Sequence, residues 1–138
     1  MQFRSFVYEP DPLVRSFLRS LLRKRGHDVL AFATGIPCPM CCDGPCADFV
    51  LVDLGLNQHA GVGFVRAQAA VGCRAAHKAL VGSEWTAETC AAAAGLGCPV
   101  FSKPYIGPAL GAWLDELEPT IPPDRVLRDG YRRAQRAE

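Results

Sequence analysis

Phe49-Val50-Leu51-Val52-Asp53 decides the fold of this chain. Four apolar residues in a row are too few for a buried helix, and they end on a carboxylate followed by Leu54-Gly55-Leu56-Asn57. A run that is apolar on both faces is a central strand with layers on both sides, which means a parallel sheet held between helices. Asp53 then leaves the strand at its carboxyl end, the edge at which open α/β sheets bind ligands. A lone acid after a strand is more often a cap or a turn former. Its meaning therefore depends on what else reaches the same edge.

A chain of 138 residues suits one domain that buries its own core without staples. With 49% apolar residues, 21% charged residues and a formal net charge of +1, it has an ordinary globular composition and gives no reason to expect nucleic acid as a partner. The first residues lack the apolar core of a signal peptide, and no window is long and apolar enough to span a bilayer. The expected location is cytoplasmic, with no membrane partner. Seven cysteines then need another explanation than a secreted disulfide framework, and an odd count leaves thiols, a metal site or a redox pair.

Outward from the central strand, residues 3–8 are a short β-rich run that ends in Glu9-Pro10-Asp11-Pro12, so a first strand also ends in acids. Asp11 before Pro12 is an acidic N-cap followed by proline at the first helical position. Leu13, Val14, Phe17, Leu18, Leu21 and Leu22 then mark one apolar helical face, with Arg15, Arg19 and Lys24 opposite and Gly26 closing the helix. A second strand runs over 27–33, with His27 expected as a solvated entry residue. The crossover helix that should follow meets three prolines, a glycine and four cysteines within 36–46, and few helical turns survive that. After the central strand, residues 55–60 are expected as a loop and 61–71 as a helix, with Cys73 just beyond it. A fourth strand is expected over 78–81, an alanine-rich helix over 86–94, a fifth strand over 98–102 and a last amphipathic helix marked by Leu110, Trp113, Leu114 and Leu117.

Five strands alternating with helices, or in one place a helix substitute, form a doubly wound α/β domain. We place it at residues 1–118. Residues 119–138, with five arginines against three acids, are expected as a basic, solvated tail.

An acid after the first strand, Asp53 after the third and Lys103-Pro104 after the fifth form an order that resembles the response-regulator receiver family. Gly61 eight residues after Asp53, the Asp-Pro-Leu-Val-Arg helix start and Lys103-Pro104-Tyr105 extend the likeness over nearly the whole chain apart from the tail. The resemblance implies a flavodoxin-like (βα)5 fold with parallel sheet order 2-1-3-4-5 and the first and last helices on one face. Asp53 matches the phosphoacceptor, Glu9 a metal-binding acid, Gly55 the backbone carbonyl on Mg²⁺, Lys103 the phosphate-pairing lysine, and the Lys103-Pro104 bond the family's cis peptide. Such a chemistry is sound, because an aspartyl carboxylate attacks a phosphoryl group only if cations neutralise the repulsion between the anions. Three positions depart from the family pattern. Pro10 stands where a second metal-binding acid is usual, which weakens Mg²⁺. The hydroxyl position falls on Gly82, with Ser83 one place later as a substitute, and the aromatic switch position is Val100.

The expectation is a single-domain receiver in phosphorelay signalling, non-enzymatic, taking a phosphoryl group on Asp53 from a sensor histidine kinase or phosphotransfer protein and acting on a downstream protein. Its alternative is a non-phosphorylated pseudo-receiver, an interaction module set by metal or thiol chemistry. Cys38, Cys41, Cys42 and Cys46 carry that alternative, since Cys-x-x-Cys lets two thiolates converge and Cys46 completes a set with Cys42 or Cys73. Zinc, a disulfide or redox pair, and inert packing thiols all stay open.

Overall fold

The computed structural model describes residues 3–35, 44–104 and 106–128. Strands β1 (Phe3–Tyr8), β2 (His27–Phe32), β3 (Phe49–Asp53), β4 (His77–Gly82) and β5 (Val100–Ser102) form one parallel sheet of order β2-β1-β3-β4-β5. Every pairing is parallel, so all five carboxyl ends lie at one edge. Side chains alternate across the sheet with a period of two. Val7, Phe49, Leu51, Ala79 and Val81 meet helices α1 (Pro12–Lys24) and α5 (Ile106–Leu117), while Phe6, Tyr8, Val50, Val52 and Leu80 meet the opposite layer. That layer contains α3 (Gly61–Ala70) and α4 (Ala87–Gly95).

The helix starts and stops follow local chemistry. Asp11 Oδ1 accepts from the Leu13 N–H at 2.9 Å and caps α1, and Gly26 takes φ of +88° after its end. Thr86 caps α4 in a reciprocal pair with Thr89. Ile106, Leu110 and Leu114 recur at every fourth position of α5 and are all buried.

Several elements differ from what the residues led us to expect. Residues 56–59, expected in a loop, form a short helical turn, α2 (Leu56–His59), in which Leu56 is fully buried in the core and Asn57 departs from helical geometry with φ of +51°. The fourth strand is longer than expected at His77–Gly82, and the fifth shorter at Val100–Ser102, since the Cys98 N–H is taken by the carbonyl of Ala93 at the end of α4. No described residue between β2 and β3 is helical, and Cys38, Cys41 and Cys42 lie outside the described residues.

The expectation that His27 is solvated is wrong. Its ring is buried, because the chain after α5 turns back across the amino edge of the sheet through a 3-10 turn, Glu118–Thr120. Glu118 accepts from His27 Nε2 at 2.7 Å and pairs bidentately with Arg25 at 2.9 and 3.0 Å. A carboxylate only accepts, so Nε2 carries the hydrogen and the neutral ring's Nδ1 accepts from the Ser5 hydroxyl at 2.5 Å. Ile121 then enters the core, Arg125 grips the buried Asp48 through Nε at 2.8 Å and Nη2 at 2.6 Å, and Arg128 donates its N–H to Pro45 at 2.8 Å. Residues 118–128 thus form a strap across β2, β1 and β3, so the described part of the segment 119–138 that was expected as a solvated tail packs against the sheet.

Two outcomes follow from the strap. Arg125→Leu leaves Asp48 buried with less compensation, so the urea midpoint should fall at constant m-value by the equivalent of about 2–3 kcal/mol. An unchanged midpoint would show that the strap adds nothing to the fold. Burial holds His27 below its ordinary imidazole range, against the smaller upward pull of Glu118. The folded chain then resists a proton that the unfolded chain accepts, so this contribution is complete above about pH 6.5 and is lost as pH falls through the depressed value. Urea midpoints measured from about pH 7 to about pH 5 should decline more steeply in the parent than in His27→Gln.

Candidate functional site

Three strand ends build the site. Beyond β1, the Glu9 N–H continues the ladder to the Phe32 carbonyl at 2.9 Å, and beyond β5 the Lys103 N–H continues it to the Gly82 carbonyl at 2.9 Å. Both backbones are therefore fixed by the sheet, and Asp53 is the last residue of β3 between them. Gly61 closes the arrangement from below. A Cβ there would lie 2.2 Å from the Asp53 carbonyl oxygen, so only glycine lets α3 start against the end of β3.

The structure brings Glu9, Asp53 and Lys103 together. Lys103 Nζ lies 2.8 Å from Glu9 Oε1 and 2.7 Å from Asp53 Oδ1, so a single ammonium is shared by two buried carboxyl groups. The other oxygen of each acid is met by backbone. Asp11 N–H donates to Glu9 Oε2 at 3.1 Å and Gly55 N–H to Asp53 Oδ2 at 2.7 Å. Burial pushes the Glu9 carboxyl above its usual range, and Lys103 only partly opposes this. Burial alone would lower Lys103, but the two acids outweigh it and hold the ammonium above the ordinary lysine range. The Lys103-Pro104 peptide bond is cis.

Asp53 and Lys103 open onto a cleft also lined by Arg66, Ser83, Glu84 and Glu88. Ser83 is exposed on its wall. At Gly82 there is no side chain, and the space that one would fill holds Leu54. A Cβ on residue 82 would lie 2.6 Å from Leu54 Cδ1. The Gly82 carbonyl is occupied from both sides, by Lys103 N–H and by the Trp85 indole N–H at 3.2 Å. Val100 is exposed.

A hard cation takes carboxylate and carbonyl oxygens. Glu9, Asp53 and the Gly55 carbonyl are that donor chemistry at this edge, and Pro10 supplies no side-chain oxygen. The set suits a weakly held Mg²⁺, because Lys103 competes for an oxygen of each acid. Among the described residues no three His, Cys, Asp or Glu side chains cluster to hold a metal ion, so a cation at this edge would rest on two carboxylates and backbone or water oxygens. Cys46 and Cys73 do line one small apolar hollow under α3, well separated in character from the polar cleft at Asp53. No helix among the described residues is long and apolar enough to cross a membrane.

Sequence reasoning missed Arg15 and Leu54. Arg15 Nη1 donates to the carbonyls of Glu9 at 2.9 Å and Pro10 at 3.3 Å, tying the first turn of α1 to the site. Its place opposite the apolar helical face made it look solvated, and only the turn at Pro10 brings those carbonyls within its reach. Leu54 follows Asp53 directly and looked like an ordinary exit residue.

No family model and no curated protein sequence matches this chain. Solved structures do. The chain is similar to the BeF3-activated receiver domain of DrrB, with a TM-score of 0.70 at 18% identity over 86% of this chain and 99% of that one. It is similar to a CheY-like response regulator receiver domain protein from Methanospirillum hungatei JF-1, with a TM-score of 0.69 at 18% identity over 88% of this chain and 100% of that one. The signal receiver domain of a modulated diguanylate cyclase from Desulfovibrio desulfuricans G20 matches with a TM-score of 0.68 at 25% identity over 84% of this chain and 93% of that one. The chain has the flavodoxin-like fold of response-regulator receiver domains.

The shared ammonium is testable without any ligand. Lys103→Met leaves two buried carboxyl groups side by side and should cost about 3 kcal/mol by urea unfolding. Adding Asp53→Asn to that variant removes one of the like charges and should recover part of the loss. Losses that simply add would show that the two residues do not interact.

Proposed function

We propose that this chain is a receiver that accepts a phosphoryl group on Asp53 and acts through contacts with another protein. The observation that carries this reading is the Lys103 ammonium 2.7 Å from Asp53 Oδ1 at the mouth of an open cleft. An anionic nucleophile meets an anionic phosphoryl group there beside a fixed cation, which lowers the repulsion between them. The donor is a phosphohistidine on a sensor kinase or phosphotransfer protein. An Asp53 carboxylate oxygen attacks phosphorus, the P–N bond breaks with its electron pair going to the imidazole nitrogen, and that nitrogen takes up a proton from solvent. An acyl phosphate on Asp53 results. Lys103 then pairs with the new phosphoryl oxygens, while Gly55 N–H holds the carboxyl group in place.

Glu9, Asp53 and the Gly55 carbonyl would hold Mg²⁺. When bound, the ion neutralises charge between the carboxylate and the incoming phosphoryl oxygens. Glu9 orients itself through the Asp11 N–H, and burial of both acids limits water at the nucleophile. Ser83, on the cleft wall, is the hydroxyl nearest in sequence to the position that Gly82 leaves without one.

A second reading is favoured by Pro10 and by Leu54 standing over Gly82, which remove an acid and a hydroxyl from the site. Under it the chain is a pseudo-receiver whose shape alone is used, with Cys46 and Cys73 at their shared hollow, and Cys38, Cys41 and Cys42, acting through zinc or thiol oxidation. One experiment separates the two. Intact-protein mass spectrometry after incubation with acetyl phosphate and Mg²⁺ should show a partial, metal-dependent phosphoryl adduct, absent from Asp53→Asn and increased in Pro10→Asp. No adduct in the parent, or an equal adduct in Asp53→Asn, would overturn Asp53 as acceptor. Near-stoichiometric zinc in the unmodified protein by elemental analysis would then support the second reading.

A further inference from the structure

The cleft onto which Asp53 opens has a volume of about 480 Å³ and a lining of mixed charge. Its wall at β4 and α4 is polar and partly anionic. Ser83, Glu84 and Glu88 are exposed there, and the Thr89 hydroxyl donates to the Thr86 carbonyl at 3.0 Å and accepts from the Thr86 N–H at 2.9 Å. None of these groups brings positive charge. The cations among the described lining residues are Lys103 and Arg66, and they differ in their commitments. Lys103 Nζ is shared by Asp53 and Glu9 at 2.7 and 2.8 Å. Arg66 is exposed on the α3 wall, and no hydrogen bond or ion pair ties it among the described residues.

The start of α3 determines where that guanidinium can go. The helix begins at Gly61, where a Cβ would lie 2.2 Å from the Asp53 carbonyl oxygen, so its first turn abuts the end of β3. Val62 and Arg66 are one turn apart, on the face that lines the cleft. Helical side chains lean toward the amino end of their helix, which directs Arg66 back along Val62 toward Asp53. Five residues of helix rise about 7.5 Å, a distance comparable to the length of an extended arginine side chain.

We infer that Arg66 is the second cation of this site and binds the oxygens of a phosphoryl group on Asp53. This rests on Asp53 as the acceptor. The phosphoryl group adds negative charge to a cleft that already holds Glu84 and Glu88, beside an ammonium that stays shared with Glu9. Pro10 removes an acid from the ligands of Mg²⁺, and Gly82 offers no hydroxyl, so the added charge lacks compensation from either side. A guanidinium presents two parallel N–H donors to phosphoryl oxygens, in charge-assisted bonds about twice as strong as neutral ones. Arg66 has no partner to release first, and it pairs with the phosphoryl group without disturbing the contact between Lys103 and Glu9.

The test titrates the full chain with beryllium fluoride, a non-covalent phosphoryl mimic, at a fixed excess of Mg²⁺, and follows the Gly55 amide by NMR. The midpoint should rise about fivefold or more in Arg66→Gln and further in Arg66→Glu, with Arg66→Lys between Arg66→Gln and the parent. Mg²⁺ titrated alone should bind Arg66→Gln at least as tightly as the parent, because that change takes a positive charge away from the ion. Urea midpoints should match the parent's, since Arg66 is exposed and untied. Indistinguishable beryllium fluoride midpoints in the parent and all three variants would overturn the inference and leave Asp53 as the acceptor. A loss in Arg66→Gln matched by an equal loss of affinity for Mg²⁺ alone would overturn it too, because the effect would then lie at the metal ligands. No response of Gly55 to beryllium fluoride in the parent would overturn both the inference and the reading of Asp53.

Discussion

One ammonium between two buried acids is the interaction on which the candidate site depends. Glu9 is fully buried and Asp53 is 6% exposed, so neither has enough water to hold its charge alone. Lys103 compensates both, and it does so from the end of β5, at the far edge of the sheet from β2. The parallel sheet makes this geometry obligatory. With β1 and β3 adjacent at its centre, their terminal acids emerge side by side. β5 lies two strands away from β3, a span that a long lysine side chain bridges and a short polar one does not.

The opposite edge of the sheet is organised by the same physics with different residues. Asp48 and His27 sit at the amino ends of β3 and β2, buried under a strap that supplies Arg125 and Glu118. Each buried polar group is met by a partner from a segment more than sixty residues away in the chain. A polar group at a strand's entry cannot be satisfied by the strand itself, so the fold recruits the chain's last described turn to cover it. The strap also reaches Pro45 through Arg128, which joins it to the end of the cysteine-rich segment.

The departures from the receiver pattern are consistent with one another. Pro10 removes an acid from the β1 side, yet its carbonyl, with that of Glu9, gives Arg15 an anchor. Gly82 removes a hydroxyl from the β4 side, and Leu54 takes the freed volume. The result is a site that keeps Asp53 and Lys103 in contact at the mouth of an open cleft.

The alternating strands and helices and the three residues that meet at the carboxyl edge were legible in the sequence, because each rests on a local signal, whereas the strand order and the faces on which the helices lie came from the likeness to receiver domains. Uninterrupted apolar runs mark buried parallel strands, Asp11-Pro12 marks a helix start, and acids or a lysine directly after strands are carried to one edge by any parallel arrangement. What the sequence could not show was which distant groups would cover the exposed polar ones. His27 looked solvated because nothing near it in the chain buries it, and residues 119–138 looked like a free tail because their five arginines outnumber their three acids. Only the folded sheet presents Asp48, Arg25 and His27 along one edge for that strap to bind. Leu54 above Gly82 and Arg15 beneath Pro10 belong to the same class. Local pattern determines which way a residue faces, but the partner that fills its space or pairs its charge is selected by packing between segments far apart in the chain.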